Sequence, residues 1–573
     1  MAIRLKILGL FFLLGFLSIF ARLAFWQIIK ASDLSSQAKS QHTQGEILNA
    51  NRGKILARDG SVLAGAANSW VLYAYLPDIE KEASKIADVL APFTVENDET
   101  NSNISGALFD EASRIKGLLA SNTTWVAIKK RVDTLTKNKV EELKINGIGF
   151  DRIESRMYPE ASSAAHLLGF VGKDAGGSDT GYSGLEGYYD LVLAGKPGFA
   201  SSERDARGVP ILAGNSDEAL AVGGVDLVTT IDKAVQLILD KRLLDGIEKY
   251  GAKSGSAVVI DPKTGEILGL AAYPSFDPKE YYKYDGVNYK NPVIANTFEP
   301  GSVFKILVMA AGLDAKVIKP DTKCDVCDGP YRIDKYTINT WDNSYRPDET
   351  MTDVIVHSDN VGMVFVGQKL GADNLYDYLN KFGIGFKTNV DLQGEVALPL
   401  RERGKWSELD LATTTFGQGI AVTSIQLLKA VTAIANKGIM VNPHVVTKLI
   451  GNGWEKKLPM QEGERVISEQ AASDMTAMMV EAAKNGESKW TYLKGFGVAG
   501  KTGTAQIPIA GHYDEEKTIA SFIGFVPFED PKYLMLVTLE EPQTSPWASE
   551  TAAPLWYAIS KDLFLHFGIR PQN

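Results

Sequence analysis

An uncharged apolar run from Ile7 to Ala21, followed by Arg22 and then Leu23-Ala-Phe-Trp-Gln-Ile-Ile29, sets the terms on which this chain can fold. At about 1.5 Å per residue, Ile7 to Ile29 extends roughly 34 Å as a helix, enough to cross a bilayer. Arg22, near the far end, can snorkel to the headgroups, and Trp26 suits the same interface. Arg4, Lys6 and the terminal amine precede the run. The positive-inside tendency therefore keeps the tail in the cytoplasm and sends the roughly 540 residues that follow to the outside. A cleaved signal peptide is the competing reading. The length of the stretch and the lack of a clean small-x-small site after it favour an uncleaved anchor. No second segment of that length and hydrophobicity follows.

The whole chain has 573 residues, of which 45% are hydrophobic and 23% charged. At about 150 residues per domain this predicts three or four domains with ample core material, and it excludes long disorder and a polytopic membrane protein. Sixty Lys and Arg against seventy Asp and Glu give a net charge of −10 with no concentrated basic patch, which argues against nucleic acid as a partner. Six scattered histidines and two cysteines, Cys324 and Cys327, form no recognisable zinc pattern, so neither a metal nor another cofactor is expected.

Three parts are expected: 1–30 as tail and anchor, 31–232 as a mixed polar region, and 233–573 as a second domain of different character. The middle part holds strand-like pieces such as Trp70 to Tyr75 and a loop rich in Asn, Ser, Asp and Glu near Val95 to Ser105. In the last part, Ser256 to Ile260 and Glu266 to Ala271 read as a hairpin around Asp261-Pro-Lys-Thr-Gly265. Ser521 to Val526 and Tyr533 to Leu539 read as two further buried strands. Helices are predicted over Ser302 to Ala315, Thr423 to Asn436, Glu469 to Ala483 and Pro554 to Phe567. The pattern is that of an α+β fold, an antiparallel sheet packed against helices.

Three short motifs carry the chemistry: Ser302-Val-Phe-Lys305, Ser358-Asp-Asn360 and Lys501-Thr-Gly-Thr504. Each is weak alone, since SxxK recurs at Ser36 to Lys39 and Ser113 to Lys116, and Lys-Thr-Gly recurs at Lys263 to Gly265. Context separates the copies. Pro300-Gly301 breaks the chain before an almost wholly apolar helix, which places Ser302 in a first turn with free N–H groups for an oxyanion. Lys305 on that helix is expected to be desolvated, hence readied as a base, and within hydrogen-bond reach of Ser302. Ser36 and Ser113 sit in charged, exposed-looking helices, and Lys263 in a turn.

Ser358 and Asn360 offer a hydroxyl and an amide for relaying a proton and holding an amide substrate, with Asp359 between them pointing outward. A helix cap or turn is the competing reading for this tripeptide. Lys501, Thr502 and Thr504 follow Phe496-Gly-Val-Ala-Gly500, expected to be a small-residue strand, and suit a carboxylate site around Gly503. The N–H of Thr504 can complete an oxyanion hole with that of Ser302. Cys324 and Cys327 have no part in this chemistry; a short-loop disulfide, two thiols and half of a zinc site all remain open.

The motif trio resembles that of penicillin-binding proteins, and the chain is identified as a member of their class B, the monofunctional peptidoglycan D,D-transpeptidases. The resemblance covers nearly the whole length. It runs through Arg52 to Ala64, Tyr158-Pro159, Ala165 to Gly172 and Gly184 to Asp190 in the pedestal. In the catalytic half it covers Asp261 to Pro274, Glu299 to Lys305, Phe416-Gly-Gln-Gly419 and Ala499 to Gln506. The FGQG block and the start at Gln41 are more similar to the septal, division-type branch than to the elongation type, and no EDxxF-like glycosyltransferase segment precedes the catalytic half.

The resemblance implies a serine β-lactamase/transpeptidase-like domain, with its sheet packed between helices and a helical subdomain, on an elongated mixed α/β pedestal of dimerisation type behind a single anchor. It implies that Ser302 attacks the penultimate D-Ala carbonyl of a stem peptide after Lys305 takes its proton. Ser358, Asn360, Lys501, Thr502 and Thr504 then position substrate and relay protons, and an amine of a neighbouring stem resolves the acyl-enzyme. β-Lactams should acylate Ser302, and a polytopic SEDS-type glycosyltransferase and other division proteins are the implied partners at the bacterial inner membrane. A carboxypeptidase or β-lactam-sensing or -hydrolysing enzyme would use the same residues, and a catalytically idle scaffold would not need all three motifs intact.

Overall fold

The structure is a computed structural model describing residues 2–79, 82–95, 104–203, 216–459, 461–509 and 512–571. Most of the polar loop expected between Val95 and Ser105 lies outside the described residues. Two compact units divide the chain. The first comprises residues 1–52 and 194–224. It contains the helix Ala2–Ala24, continued by a π-helical turn Phe25–Ile29, which together form one span long and apolar enough to cross a membrane and exposed along its length. A helix Ala31–His42 follows, and three antiparallel strands, Thr43–Leu48, Gly198–Glu203 and Ser216–Ala219, close this unit.

The second unit holds residues 53–193 and 225–573. Its first sheet has seven strands and ignores the boundary expected near residue 232. Asp226–Thr229 pairs in parallel with Ile55–Leu56 on one side and antiparallel with Val446–Gly451, from far along the chain, on the other. Asp391 reinforces that seam by accepting hydrogen bonds from the N–H groups of Val445 and Val446, at 2.7 and 2.9 Å, and from the Tyr189 hydroxyl at 3.0 Å. Conserving charge balance in a dry site, Arg156 pairs with the fully buried Glu186 at 2.6 Å and also donates to the Gly53 carbonyl at 2.7 Å.

The C-terminal part supplies the elements that matter for chemistry. In chain order these are α1 (Lys233–Tyr250), β1 (Ser254–Ile260), β2 (Ile267–Tyr273), α2 (Lys305–Asp314), α3 (Met351–His357), α4 (Asn360–Leu370), α5 (Ser424–Ala435), α6 (Glu469–Asn485), β3 (Ala499–Ile509), β4 (His512–Val526), β5 (Tyr533–Glu540) and α7 (Ala552–His566). The strands form one antiparallel sheet in the order β2-β1-β5-β4-β3. Side chains alternate across it, so a strand covered on both faces must be apolar at every position. Ala257, Val259, Val537 and Phe522 enter the core shared with α1 and α7, whereas Val258, Ile260, Leu536 and Ile523 enter the core shared with α2, α5 and α6.

Asp232 caps α1 through the N–H groups of Ala234 and Val235, the local reason the chain changes character there. The expected helix from Ser302 begins instead as a 3-10 turn, Gly301–Phe304, with regular α geometry only from Lys305. Phe496 to Val498 is not strand, since β3 starts at Ala499. Gly497 has φ +60, a left-handed conformation that ends pairing there.

Candidate active site

The nucleophile turn is set by backbone contact. Gly301 has φ +58, and its N–H donates to the Gly417 carbonyl at 3.0 Å. A Cβ on Gly417 would stand 2.2 Å from the Gly301 carbonyl oxygen, so the Phe416-Gly-Gln-Gly419 block is a surface against which the turn rests. On the other side runs β3. A Cβ on Gly503 would meet Val303 Cγ1 at 2.8 Å and the Val303 nitrogen at 3.0 Å, so a glycine brings β3 and the turn together. Ser302, Gly503 and Thr504 are thereby neighbours. Glu299, just ahead of the turn, accepts from Gly419 N–H and from Tyr513 Oη, each at 3.1 Å, and burial pushes its carboxyl up from the usual range.

Lys305 lies in the first turn of an entirely buried helix face and is itself inaccessible to solvent. Its Nζ donates to the Ser358 carbonyl at 2.5 Å and to Asn360 Oδ1 at 2.8 Å, and reaches Ser358 Oγ at 3.3 Å. Ser302 Oγ makes no hydrogen bond among the described residues. Lys305 instead spends its hydrogen bonds on acceptors of the Ser358-Asp-Asn360 turn. Loss of hydration, with the positive charge of Lys501 beside it, lowers Lys305 to about 7, against the opposing pull of Asp359, Glu487 and, when it is ionised, Glu349.

Ser358 stands between α3 and α4 in the left-handed region, φ +58, and is buried. Lys501 Nζ donates to Ser358 Oγ at 3.0 Å and to the carbonyl and hydroxyl oxygens of Thr502 at 3.1 Å. Burial lowers its affinity for a proton as well, with Glu487 acting in the opposite sense. The expectation that Asp359 points outward is wrong. It is 1% exposed and turns inward to cap α4, accepting from Gly362 N–H at 3.0 Å, since an uncapped helix start buried here would leave donors unpaired.

Glu487 escaped sequence reasoning. It follows α6 in an unremarkable Gly-Glu-Ser turn, yet accepts the Thr502 hydroxyl at 2.6 Å. The proton of buried Thr502 is thus committed to the chain's own carboxylate, whereas Thr504, whose Oγ1 accepts from Ala548 N–H at 3.0 Å, keeps its own proton free to donate. The alternative motif copies fall elsewhere. Ser113 and Lys116 are exposed on the helix Ile104–Leu119, Ser36 is exposed while the Lys39 side chain lies outside the described residues, and Lys263 pairs with Asp530 at a hairpin turn.

Cys324 and Cys327 form a disulfide with Cα atoms 5.6 Å apart, which settles the three readings of that pair. Cys327 Sγ lies within 4.8 Å of carboxylate oxygens of Glu349 and Asp359, but a disulfide sulfur is not the thiolate a metal would take.

A turn carrying a serine, leading into a buried helix that opens with a lysine and set against a five-stranded antiparallel sheet with a second lysine on its edge strand, defines the active-serine class of acyl-transferring domains. The chain belongs to the penicillin-binding protein family. Residues 255–561 match the penicillin binding protein transpeptidase domain, and residues 47–229 the penicillin-binding protein dimerisation domain. The chain is 30% identical over 578 residues to stage V sporulation protein D of Bacillus subtilis, covering 100% of this chain and 86% of the relative. It is also 30% identical over 529 residues to the probable peptidoglycan D,D-transpeptidase PenA of Neisseria meningitidis, covering 92% of this chain and 86% of the relative. Among solved structures, penicillin binding protein 3 from Mycobacterium tuberculosis, complexed with aztreonam, superposes with a TM-score of 0.69 at 26% identity, covering 92% of this chain and 98% of the other.

Proposed function

We propose that this chain is a serine D,D-transpeptidase of peptidoglycan, in which Ser302 forms an acyl-enzyme with the penultimate D-Ala of a stem peptide. The observation that carries the reading is the convergence of Lys305, Ser358 and Lys501 through hydrogen bonds of 3.0 to 3.3 Å, beside a serine whose hydroxyl is unengaged. A neutral Lys305 uses two N–H bonds on the Ser358 carbonyl and Asn360, which leaves its lone pair for the proton of Ser302 as Oγ attacks. The oxyanion is received by the N–H groups of Ser302 and Thr504. Lys305, once it carries the Ser302 proton, donates it to Ser358 Oγ, which also accepts from Lys501, and Ser358 hands its own proton to the departing D-Ala amine; an amine of a neighbouring stem then takes the acyl group.

The terminal carboxylate of the substrate is held by the Thr504 hydroxyl in the field of Lys501, with Thr502 and Gly503 setting the strand. β-Lactams acylate Ser302 by the same route. The apolar N-terminal helix anchors the protein in the inner membrane, with Arg4 and Lys6 on the cytoplasmic side and residues 31–232 as pedestal to the catalytic residues 233–573. Resemblance to division-type relatives favours work at the septum with a SEDS-type glycosyltransferase.

The test is intact-protein mass measurement after incubation with a penicillin, beside a transpeptidation assay with a stem-peptide donor and an amine acceptor. One stable adduct on the wild type, none on Ser302→Ala, and cross-linked product are expected. An adduct on the Ala variant would move the nucleophile elsewhere, and rapid adduct loss to water would make the enzyme a hydrolase.

A further inference from the structure

Directly behind the Ser358-Asp-Asn360 turn lie two buried carboxyl groups that the acylation chemistry does not use. Glu349, ahead of α3, has a side chain only 1% exposed, and Asp359 is equally buried. One oxygen of each is accounted for: Glu349 Oε1 accepts from His357 Nδ1, and Asp359 Oδ1 from Gly362 N–H. The remaining oxygens, Glu349 Oε2 and Asp359 Oδ2, are buried without a donor among the described residues, while carboxylate oxygens of the two residues approach within 4.8 Å. Two ionised carboxylates cannot share a dry site at that separation without strong repulsion, and each unpaired oxygen would add its own desolvation cost. A single proton between them removes both problems.

We propose that Glu349 is a positioning residue of the acylation site: its protonated carboxyl donates a hydrogen bond to Asp359 and so fixes the turn that carries Ser358 and Asn360. Asp359 is the accepting partner, because its other oxygen is already engaged in capping the N-terminus of α4. Glu349 is the partner that holds the proton. Burial is the main cause that raises it, to about 7, with the charge of Asp359 acting in the same direction and His357 in the opposite one. The backbone of Glu349 is itself fixed, its carbonyl accepting from Cys324 N–H at 2.8 Å on the disulfide-bearing segment.

The titratable and charged groups that face this pair are His357 from α3, Arg346 from the preceding loop, and Lys305 from α2. Ser358 needs such support, since a non-glycine residue at φ +58 is held only by what surrounds it. When Glu349 loses its proton, the hydrogen bond to Asp359 becomes a repulsion. A further negative charge then stands behind Lys305 and draws it toward its protonated, inactive form.

The inference rests on the acyl-enzyme reading, and the test separates the two. Second-order acylation by a fluorescent penicillin is measured from pH 5.5 to 9 on the full chain for wild type, Glu349→Gln and Glu349→Ala, together with thermal unfolding of each. Glutamine copies the protonated acid, accepting from His357 and donating to Asp359. At pH 6 Glu349→Gln should acylate within about threefold of wild type, and Glu349→Ala at least about tenfold slower. The decline of wild-type acylation above neutral pH should vanish in Glu349→Gln.

A carboxyl with a raised folded-state value stabilises the protein below its unfolded value and loses that contribution as pH rises toward about 7. The melting temperature of Glu349→Gln relative to wild type should therefore climb between about pH 4.5 and 7 and level off above, whatever the enzyme acylates. The proposal is overturned if Glu349→Gln is as slow as Glu349→Ala at pH 6, if its alkaline decline persists, or if the difference in melting temperature is independent of pH. A rise in wild-type melting temperature with calcium, reversed by chelator, would put a cation where the proton is proposed and would equally overturn it.

Discussion

Lys501 and Lys305, 196 positions apart in the chain, reach the same hydroxyl oxygen: their Nζ atoms stand 3.0 and 3.3 Å from Ser358 Oγ. Two amines so close and so dry cannot both carry a full charge cheaply, and each lowers the cost of the other being neutral. A base for Ser302 at neutral pH follows first from the loss of water around Lys305 and then from that crowding, rather than from any property of lysine itself.

Acylation should therefore have an acid limb. Lys305 acts only when neutral, and its lowering to about 7 means that the rate falls as pH drops below that value, approaching tenfold per pH unit. Stopped-flow acylation of the wild type over pH 5 to 7 measures it. A flat profile over that range would remove Lys305 as the titrating base.

Glu487 opposes that lowering at both lysines. Glu487→Gln keeps an acceptor for the Thr502 hydroxyl and removes the charge, so the acid limb should move to lower pH, by about half a unit. The same pH series measures the displacement. An acid limb left in place would show that the carboxylate is not felt at Lys305.

Gly503 has no room for a side chain between β3 and the nucleophile turn, where the Val303 nitrogen lies 3.0 Å from an added Cβ and Ser521 Oγ 2.8 Å. Gly503→Ala should push Thr504 away from Ser302 and slow acylation at least about 100-fold, the scale of a 1 Å misplacement. Near-ultraviolet circular dichroism of the variant should remain native. Acylation at the wild-type rate would mean that the strand does not complete the site.

Trp556 on α7 is fully buried, packs against Phe522 at 5.1 Å between ring centroids, and donates through Nε1 to the Met535 carbonyl at 3.0 Å. Trp556→Ala should cost about 3–5 kcal/mol of stability, read as a shift in the urea midpoint. A loss below 1 kcal/mol would mean that the core closes over the cavity.

Free thiols should be absent: a maleimide reagent should label neither Cys324 nor Cys327 in the denatured chain without reductant, and both with it. Equal labelling under the two conditions would rule out the disulfide.

Much of this was decided locally, and so is legible in the sequence. The span around Ile7 to Ile29 is a property of consecutive apolar residues. The strands β1 and β5 are betrayed by the apolar runs Ala257-Val-Val-Ile260 and Tyr533-Leu-Met-Leu-Val537. Pro300-Gly301 ahead of an apolar helix singles out Ser302 from Ser36 and Ser113, because burial of a helix is written in its own residues. The three motifs also name the side chains that the fold gathers around Ser358.

Contacts between distant segments were decided only by the tertiary structure. Whether Asp359 points to water depended on the N-terminus of α4, which it caps. That Thr502 gives its proton to Glu487 depended on where the turn after α6 comes to rest. Lys305 rather than Ser302 holds the Ser358 turn because two acceptors arrive from a different helix pair. Sequence spacing fixes which residues share a face within one element. The protonation and hydrogen bonding of a buried group depend on every neighbour that excludes water from it, and most of those neighbours lie far away along the chain.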